Sequence, residues 1–230
     1  MGLARTVRRR FLGILVVLFS LTVTLPVLAI AAYRYLPVPA TPLMVIRAVE
    51  DGAWPARDWV AIEDVPREVL GAIVAAEDNN FCSHHGVDWG AVRDAYEEWE
   101  AGGRLRGAST VSMQVARNLF LWDGGGAVRK VLEVYVTAMV EALLPKRRIL
   151  EIYLNVAEWG PGVFGIEAAA RHHFGVPAAQ LTPQQAAALV AILPAPRAWS
   201  PTQPSERAAA RIAIVARRMA GGMARLGCLE

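Results

Sequence analysis

Apolar positions in this chain follow two patterns: an unbroken run near the N-terminus and a helical period through the rest. Phe11 to Ala32 is twenty-two residues without a charge. As a helix it would reach ~33 Å, enough to cross a bilayer core. Beyond it the body reads as helix after helix, with no alternating strand run of useful length. Asp64 is placed to cap a helix whose first position is near Pro66; Leu70, Ile73 and Val74 form its buried stripe. Val131 to Leu144 carries Leu132, Tyr135, Val136, Met139, Val140 and Leu143 at i, i+3, i+4 spacing, and Pro145 stops that helix. Thr182-Pro183-Gln184-Gln185 is a capping box with proline at the first helical position, opening a helix through Ile192. Leu193 to Ser205 is a proline-rich turn region. A last helix, Glu206 to Leu226, presents arginines on one side and Ile212, Ile214, Val215 and Met219 for packing. The pattern predicts an all-α domain behind one apolar helix.

Charge orients that first helix. Arg5, Arg8, Arg9 and Arg10 precede the apolar run and only Arg34 shortly follows it, so the N-terminus stays cytoplasmic and the rest is sent outward. Ala29-Ile30-Ala31 looks like a cleavage site, but a signal h-region runs ~7–15 residues, and the greater length here favours an uncleaved anchor. Both readings export the domain. Leu36-Pro37-Val38-Pro39-Ala40-Thr41-Pro42 is a stiff, extended spacer. The expected division is a basic tail over 1–10, an anchor over 11–32, a linker over 33–45 and one domain over 46–230. The net charge of +3 is partly owed to the N-terminal arginines and gives no reason to invoke nucleic acid. Cys82 and Cys228 lie far apart; an oxidising compartment would allow them to pair, and the sequence leaves that open. No activating arrangement marks Cys82 as a nucleophile. His84, His85, His172 and His173 suit no common zinc spacing.

The candidate chemistry starts at Glu77. It falls at i+7 from Leu70, on the apolar face of its helix, where partial desolvation raises a carboxylate's pKa. That makes a glutamate a usable proton acceptor near neutral pH. A helix-terminal glutamate salt-bridged to an arginine fits the same position equally well.

The residues around and after it separate the two. Glu77, Asp78, Phe81, His84 and Gly86 fill Glu-Asp-x-x-Phe-x-x-His-x-Gly. Gly107 to Asn118, Arg129-Lys130-Val131-Leu132-Glu133 and Lys146 to Asn155 follow in order, then Gly160, Gly165-Ile166, Ala168-Ala169-Ala170 and Phe174-Gly175. In these five motifs the chain resembles the family-51 glycosyltransferases, which polymerise the glycan strands of bacterial peptidoglycan. The resemblance implies a two-lobed, lysozyme-like helical domain with a cleft. It implies inverting transfer on lipid II, building β-1,4 strands and releasing undecaprenyl pyrophosphate. With about fifty-five residues after Gly175, too few for another enzymatic domain, it points to the monofunctional members, which lack transpeptidase activity.

By resemblance Glu77 is the base, and Glu133 assists at the leaving group. Glu133 does so by orienting a cation or by holding a divalent ion, Mg2+ or Mn2+, as a non-obligatory cofactor. Its spacing places it beside the Leu132–Val136–Val140 stripe; the competing reading is a surface pair with Arg129, worth a few tenths of a kcal/mol. Ser109 and Thr110 open a helix whose free N–H groups favour an anion, though capping alone would also explain them. Gln114, Arg117, Arg129 and Lys130 complete the expected substrate-binding set. Three features depart from the pattern: Met113 replaces a glutamine, Arg117 stands for the usual lysine, and Gly125 falls where many members have arginine, in a glycine-rich loop expected to be mobile. Trp89, Tyr96, Trp99 and Leu105 lie where the family meets its lipid-linked substrate, although Glu97, Glu98 and Glu100 also suit an ordinary amphipathic helix. The implied partners are lipid II, the growing strand and the membrane, with penicillin-binding proteins and divisome components as candidates. The implied location is a bacterial inner membrane with a periplasmic domain. Two other readings are a lytic muramidase, which has no pyrophosphate to bind, and a non-catalytic interaction module, which would not need to retain Glu77 and Glu133.

Overall fold

The computed structural model describes residues 2–103, 107–221 and 226–230, with side chains from residue 8 onward. The N-terminal apolar run is one continuous helical rod: α1 (Gly2–Phe19), a π-helical turn (Ser20–Thr24) and α2 (Leu25–Tyr33). Arg8–Tyr33 is long and apolar enough to cross a membrane. Pro26 accounts for the widened turn, because it has no N–H to give the carbonyl four residues back and its ring crowds that carbonyl. The carbonyl in question, on Thr22, takes the Tyr135 hydroxyl instead at 3.1 Å. The exit of the rod is stapled to the domain by Arg34, which donates to the Leu143 carbonyl at 2.9 Å, and by Arg148, which donates to the Tyr33 carbonyl at 2.7 Å.

Thr41 caps α3 (Pro42–Asp51), its hydroxyl accepting from the Met44 amide at 3.3 Å. Leu43 and Met44 are buried with the core, so α3 straddles the expected linker–domain boundary. α4 (Arg67–Glu77) starts next to Pro66, as expected, but Pro66 is its N-cap and Asp64 does not cap it. Asp64 instead closes a 3-10 turn of its own, Ile62–Asp64. Leu70, Ile73 and Val74 of α4 are buried as expected. Next come α5 (Trp89–Glu100), α6 (Val111–Phe120), α7 (Gly126–Leu143), α8 (Lys146–Val156), α9 (Ile166–Phe174), α10 (Pro183–Ile192) and α11 (Glu206–Ala220). The capping box at Thr182 and Gln185 forms in full. A small antiparallel hairpin, β1 (Glu158–Gly160) with β2 (Val163–Phe164), interrupts the helices. It is too short to leave an alternating signal.

Two packing groups face each other. α4, α10 and α11 pack on one another, while α6 packs on α7 and α8. Trp159, Tyr153, Phe81 and Phe164 are fully buried in the shared core. Two expected stripes are narrower than their sequences suggest. On α7, Val136 and Val140 are buried, but Leu132 and Tyr135 are about two-fifths exposed, since this edge turns toward α2 and solvent. On α11, Val215 is buried while Ile214 faces outward. α11 also ends at Ala220, with Gly221 as its C-cap, short of the expected Leu226; residues 222–225 lie outside the described residues. Cys82 and Cys228 form a disulfide, which closes the question their spacing left open.

Candidate active site

Glu77 is the last residue of α4. Its side chain is 12% exposed and opens into a cavity of about 520 Å³ between the two packing groups. Two helices reach its carboxylate directly and a third supports one of the donors. From α11, Arg211 donates to Oε1 at 2.8 Å. From α6, Gln114 Nε2 donates to Oε2 at 3.2 Å. From α8, the Tyr153 hydroxyl donates to Gln114 Oε1 at 3.2 Å and so fixes which way that amide points. Burial, and then the Glu77 charge, push the Tyr153 phenol well above its ordinary range, so it remains a proton donor to Gln114. Arg218, one face-repeat after Arg211, lines the same cavity and donates to the Ala75 carbonyl at 3.1 Å. Both expectations for Glu77 therefore meet in one residue: it is largely buried and it is paired with an arginine.

The loop after Glu77 is held by a network of shared atoms. Asp78 accepts from His84 Nε2 at 2.9 Å and from the Val111 amide, at the start of α6, at 2.9 Å. His84 Nδ1 accepts from the Gly86 amide at 3.1 Å, which places its proton on Nε2. Gly86 has φ +97°, and a Cβ there would lie 2.8 Å from the Thr137 side chain, so glycine is required. Thr110 donates its hydroxyl proton to the Gly86 carbonyl and caps α6 by accepting from Met113 N at 3.1 Å. At its N-terminus α6 is capped by Thr110, as one of the residue's two readings expected. The anion on its first amide is Asp78, and the Thr110 hydroxyl is committed within the protein.

Glu133 is 2% exposed, so its pairing with Arg129 is not a surface one. Arg129 pairs with its Oε2, and Lys130 Nζ lies 2.6 Å from Oε1. Lys130 also donates to the Ser109 hydroxyl at 2.7 Å, and Ser109 lines the Glu77 cavity. One polar chain, Glu133–Lys130–Ser109, therefore reaches from the second glutamate to the cavity of the first. A divalent ion does not fit Glu133 as arranged: both oxygens already face cations, and among the described residues no group of three acidic, histidine or cysteine side chains is placed to hold a metal.

Arg117 stands apart from this set. It lines a second cavity with Gln114 and Tyr153, and its Nε is buried without a hydrogen-bond partner. Met113 is 2% exposed in the core and lines neither cavity, so its replacement of glutamine leaves both walls unchanged. Gly124, Gly125 and Gly126 all have positive φ, and a Cβ at Gly125 would meet Arg129 Cβ at 3.0 Å. This backbone does not accept an arginine at 125 without strain. On α5, Trp89, Tyr96 and Trp99 are exposed; Leu105 lies outside the described residues. Sequence reasoning missed Arg211 and Arg218. Their spacing on one face of the last helix was a signal, but nothing local said what that face would meet.

A family model described as Transglycosylase matches residues 44–220. Similar proteins are called biosynthetic peptidoglycan transglycosylases. One from Rhodospirillum centenum is 52% identical over 89% of this chain and 88% of its own. Another from Caulobacter vibrioides is 45% identical over 91% of each. A third, from Pseudomonas aeruginosa, is 46% identical over 84% of this chain and 85% of its own.

Proposed function

This chain belongs to the transglycosylase family and is a peptidoglycan glycosyltransferase, and from that premise we propose that it polymerises lipid II into β-1,4 glycan strands without crosslinking them. The acceptor's 4-hydroxyl attacks the anomeric carbon of the donor sugar, the new C–O bond forms, and the bond to undecaprenyl pyrophosphate breaks with inversion. Glu77 takes the hydroxyl proton. Its carboxylate is already aimed into the cavity by Arg211 and Gln114. The departing pyrophosphate gains charge, and Lys130 and Arg129, held in place by Glu133, supply the opposite sign. Ser109 adds a hydroxyl on the same wall. Glu133 acts by orienting these cations, and no step runs through a metal ion.

The observation that carries this reading is the Glu133–Lys130–Ser109 chain ending at the Glu77 cavity. It links the Glu77 cavity, through Ser109, to the two cations that pair with Glu133, which supports reading them as the base and the phosphate site of one reaction. A lytic muramidase would need only the base. The N-terminal apolar helix is consistent with a single-pass anchor. Its flanking arginines support an orientation with the domain outside the inner membrane, where the disulfide is stable. Penicillin-binding proteins and divisome components remain candidate partners of the exported domain.

The test is polymerisation of labelled lipid II by the purified chain in detergent, with Glu77→Gln in parallel. Polymer is expected from the wild type, and loss of the base lowers the rate about 10²–10⁴-fold. A folded wild type that makes no polymer would overturn the reading.

A further inference from the structure

Tyr135 follows Glu133 by two residues on α7, about 200° round the helix. Glu133 faces the core, and the Tyr135 hydroxyl faces the apolar rod, where it donates to the Thr22 carbonyl at 3.1 Å. We propose that Tyr135 is a positioning residue for glycan transfer: its bond to Thr22 locks α7, and with it Arg129 and Lys130, to the anchor at one register. This rests on reading the chain as a polymerase of a lipid-linked substrate.

The anchor's own sequence chooses the point of attachment. Pro26 has no N–H for the Thr22 carbonyl, and the turn before it widens, with the Leu25 amide bonded back to the Ser20 carbonyl. The Thr22 hydroxyl is spent on the Leu18 carbonyl at 2.7 Å. Thr22 lies at the middle of the uncharged run Phe11–Ala32, and at that depth a bilayer holds no water for a freed carbonyl. Pro26 is the only proline in the rod, so the open carbonyl marks one register and no other. A second bond joins Arg34 to the Leu143 carbonyl at 2.9 Å. The pairs Thr22–Tyr135 and Arg34–Leu143 ascend together, so anchor and α7 run side by side in one direction. Arg34 holds the end of α7. Its beginning, which carries Arg129 and Lys130, is held on the cleft side by the Lys130–Ser109 bond. On the other side it has less support: Gly125 gives no side-chain cap, and Val128 and Val131 are about 70% exposed. Among the described residues, the Tyr135 bond is the hydrogen bond to the anchor nearest those two cations.

The test uses the full chain in lipid nanodiscs with labelled lipid II, as wild type, Tyr135→Phe, Pro26→Ala and the double variant. Tyr135→Phe is expected to lower kcat about tenfold with KM little changed, because displaced cations lose a contact made to the leaving group in the transition state. Pro26→Ala returns an N–H to the Thr22 carbonyl and removes the feature that Tyr135 reads. It is expected to give the same loss, and the double variant no more than either, since the two residues act through one bond. Full kcat in Tyr135→Phe, or losses that multiply in the double variant, overturns the lock. Hydrogen exchange of residues 126–132 in the same discs reads the lock without any polymerisation. Faster exchange there in Tyr135→Phe is expected, and unchanged exchange overturns the proposal whatever the rates show. If exchange responds but the wild type makes no polymer, the polymerase reading falls, the catalytic consequence falls with it, and the contact between anchor and α7 stands.

Discussion

The two glutamates of this cleft are built in opposite ways. Glu133 sits mid-helix, 2% exposed, and is neutralised by neighbours three and four residues away on its own helix, Lys130 and Arg129. Glu77 sits at a helix end, beside a cavity, and takes its partners from Gln114 and Arg211, 37 and 134 residues along the chain. The first is a local, self-sufficient unit that forms whenever α7 forms. The second exists only when α4, α6 and α11 are docked together. A group that must accept a proton from substrate has to face a cleft, and a cleft is made where separate elements meet. A group that only orients cations has no such need.

The largest effects expected to test this contrast come from the two glutamates, and Glu133→Gln is the one expected to act on rate and stability together. It removes the counter-charge of two cations at once, so polymerisation falls about 10²–10³-fold and the melting temperature falls with it. Glu77→Gln is expected to lower polymerisation about 10²–10⁴-fold with a smaller melting shift, because its carboxylate opens into a cavity. Equal melting shifts in the two variants, read by calorimetry, would erase the distinction. Next in size is the disulfide. Cys82 follows α4 and Cys228 follows α11, so the bond ties the loop after Glu77 to the segment that follows its arginine helix. Cys82→Ser with Cys228→Ser is expected to cost about 2–5 kcal/mol of stability, measured by denaturant unfolding, and to lower the activity of the folded fraction. A variant of unchanged activity per folded molecule would show that helix packing alone positions Arg211.

The same contrast explains what could be read from the sequence. Leu70, Ile73 and Val74, the capping box at Thr182, and the Arg129–Glu133 spacing are all local, and each is found where its pattern put it. Arg211 and Arg218 were visible only as the polar side of an amphipathic helix. That they end on α4 depends on how α10 and α11 pack, which no window of sequence contains. Thr110 shows a different limit. Its capping of α6 was legible and is found, but the bond its hydroxyl proton makes to the Gly86 carbonyl, 24 residues away, was not. The hairpin at Glu158–Phe164 has two paired positions, Glu158 with Phe164 and Gly160 with Val163, too few for a period of two to register.

Arg211→Ala gives a smaller effect and tests the non-local half directly. Without its cation Glu77 keeps Gln114 but loses the stronger, charge-assisted donor. A fall of about tenfold to hundredfold in kcat/KM is expected, with Arg211→Lys recovering part of it. Full activity in the alanine variant would mean that Gln114 and Tyr153 alone orient the base. Arg211 would then be a structural contact of α11.

The smallest expected effect guards the comparison against a false positive. His173, on α9, packs beneath the hairpin with Nε2 2.9 Å from the Trp159 carbonyl. Burial holds its pKa below the ordinary 6.5, the nearby His172 acts in the same sense, and the Trp159 bond opposes both. Because the folded pKa is the lower one, the unfolded chain binds more protons as pH drops below about 6.5. The stability contributed by neutral His173 is thus complete above 6.5 and is lost as pH falls through the folded pKa. Activity measured in mildly acid buffer would then decline through partial unfolding, and that decline would imitate titration of a catalytic glutamate. His173→Asn is expected to flatten the stability–pH slope in this window, read by thermal unfolding at stepped pH. If the slope survives the substitution, His173 is not the source of the acid sensitivity.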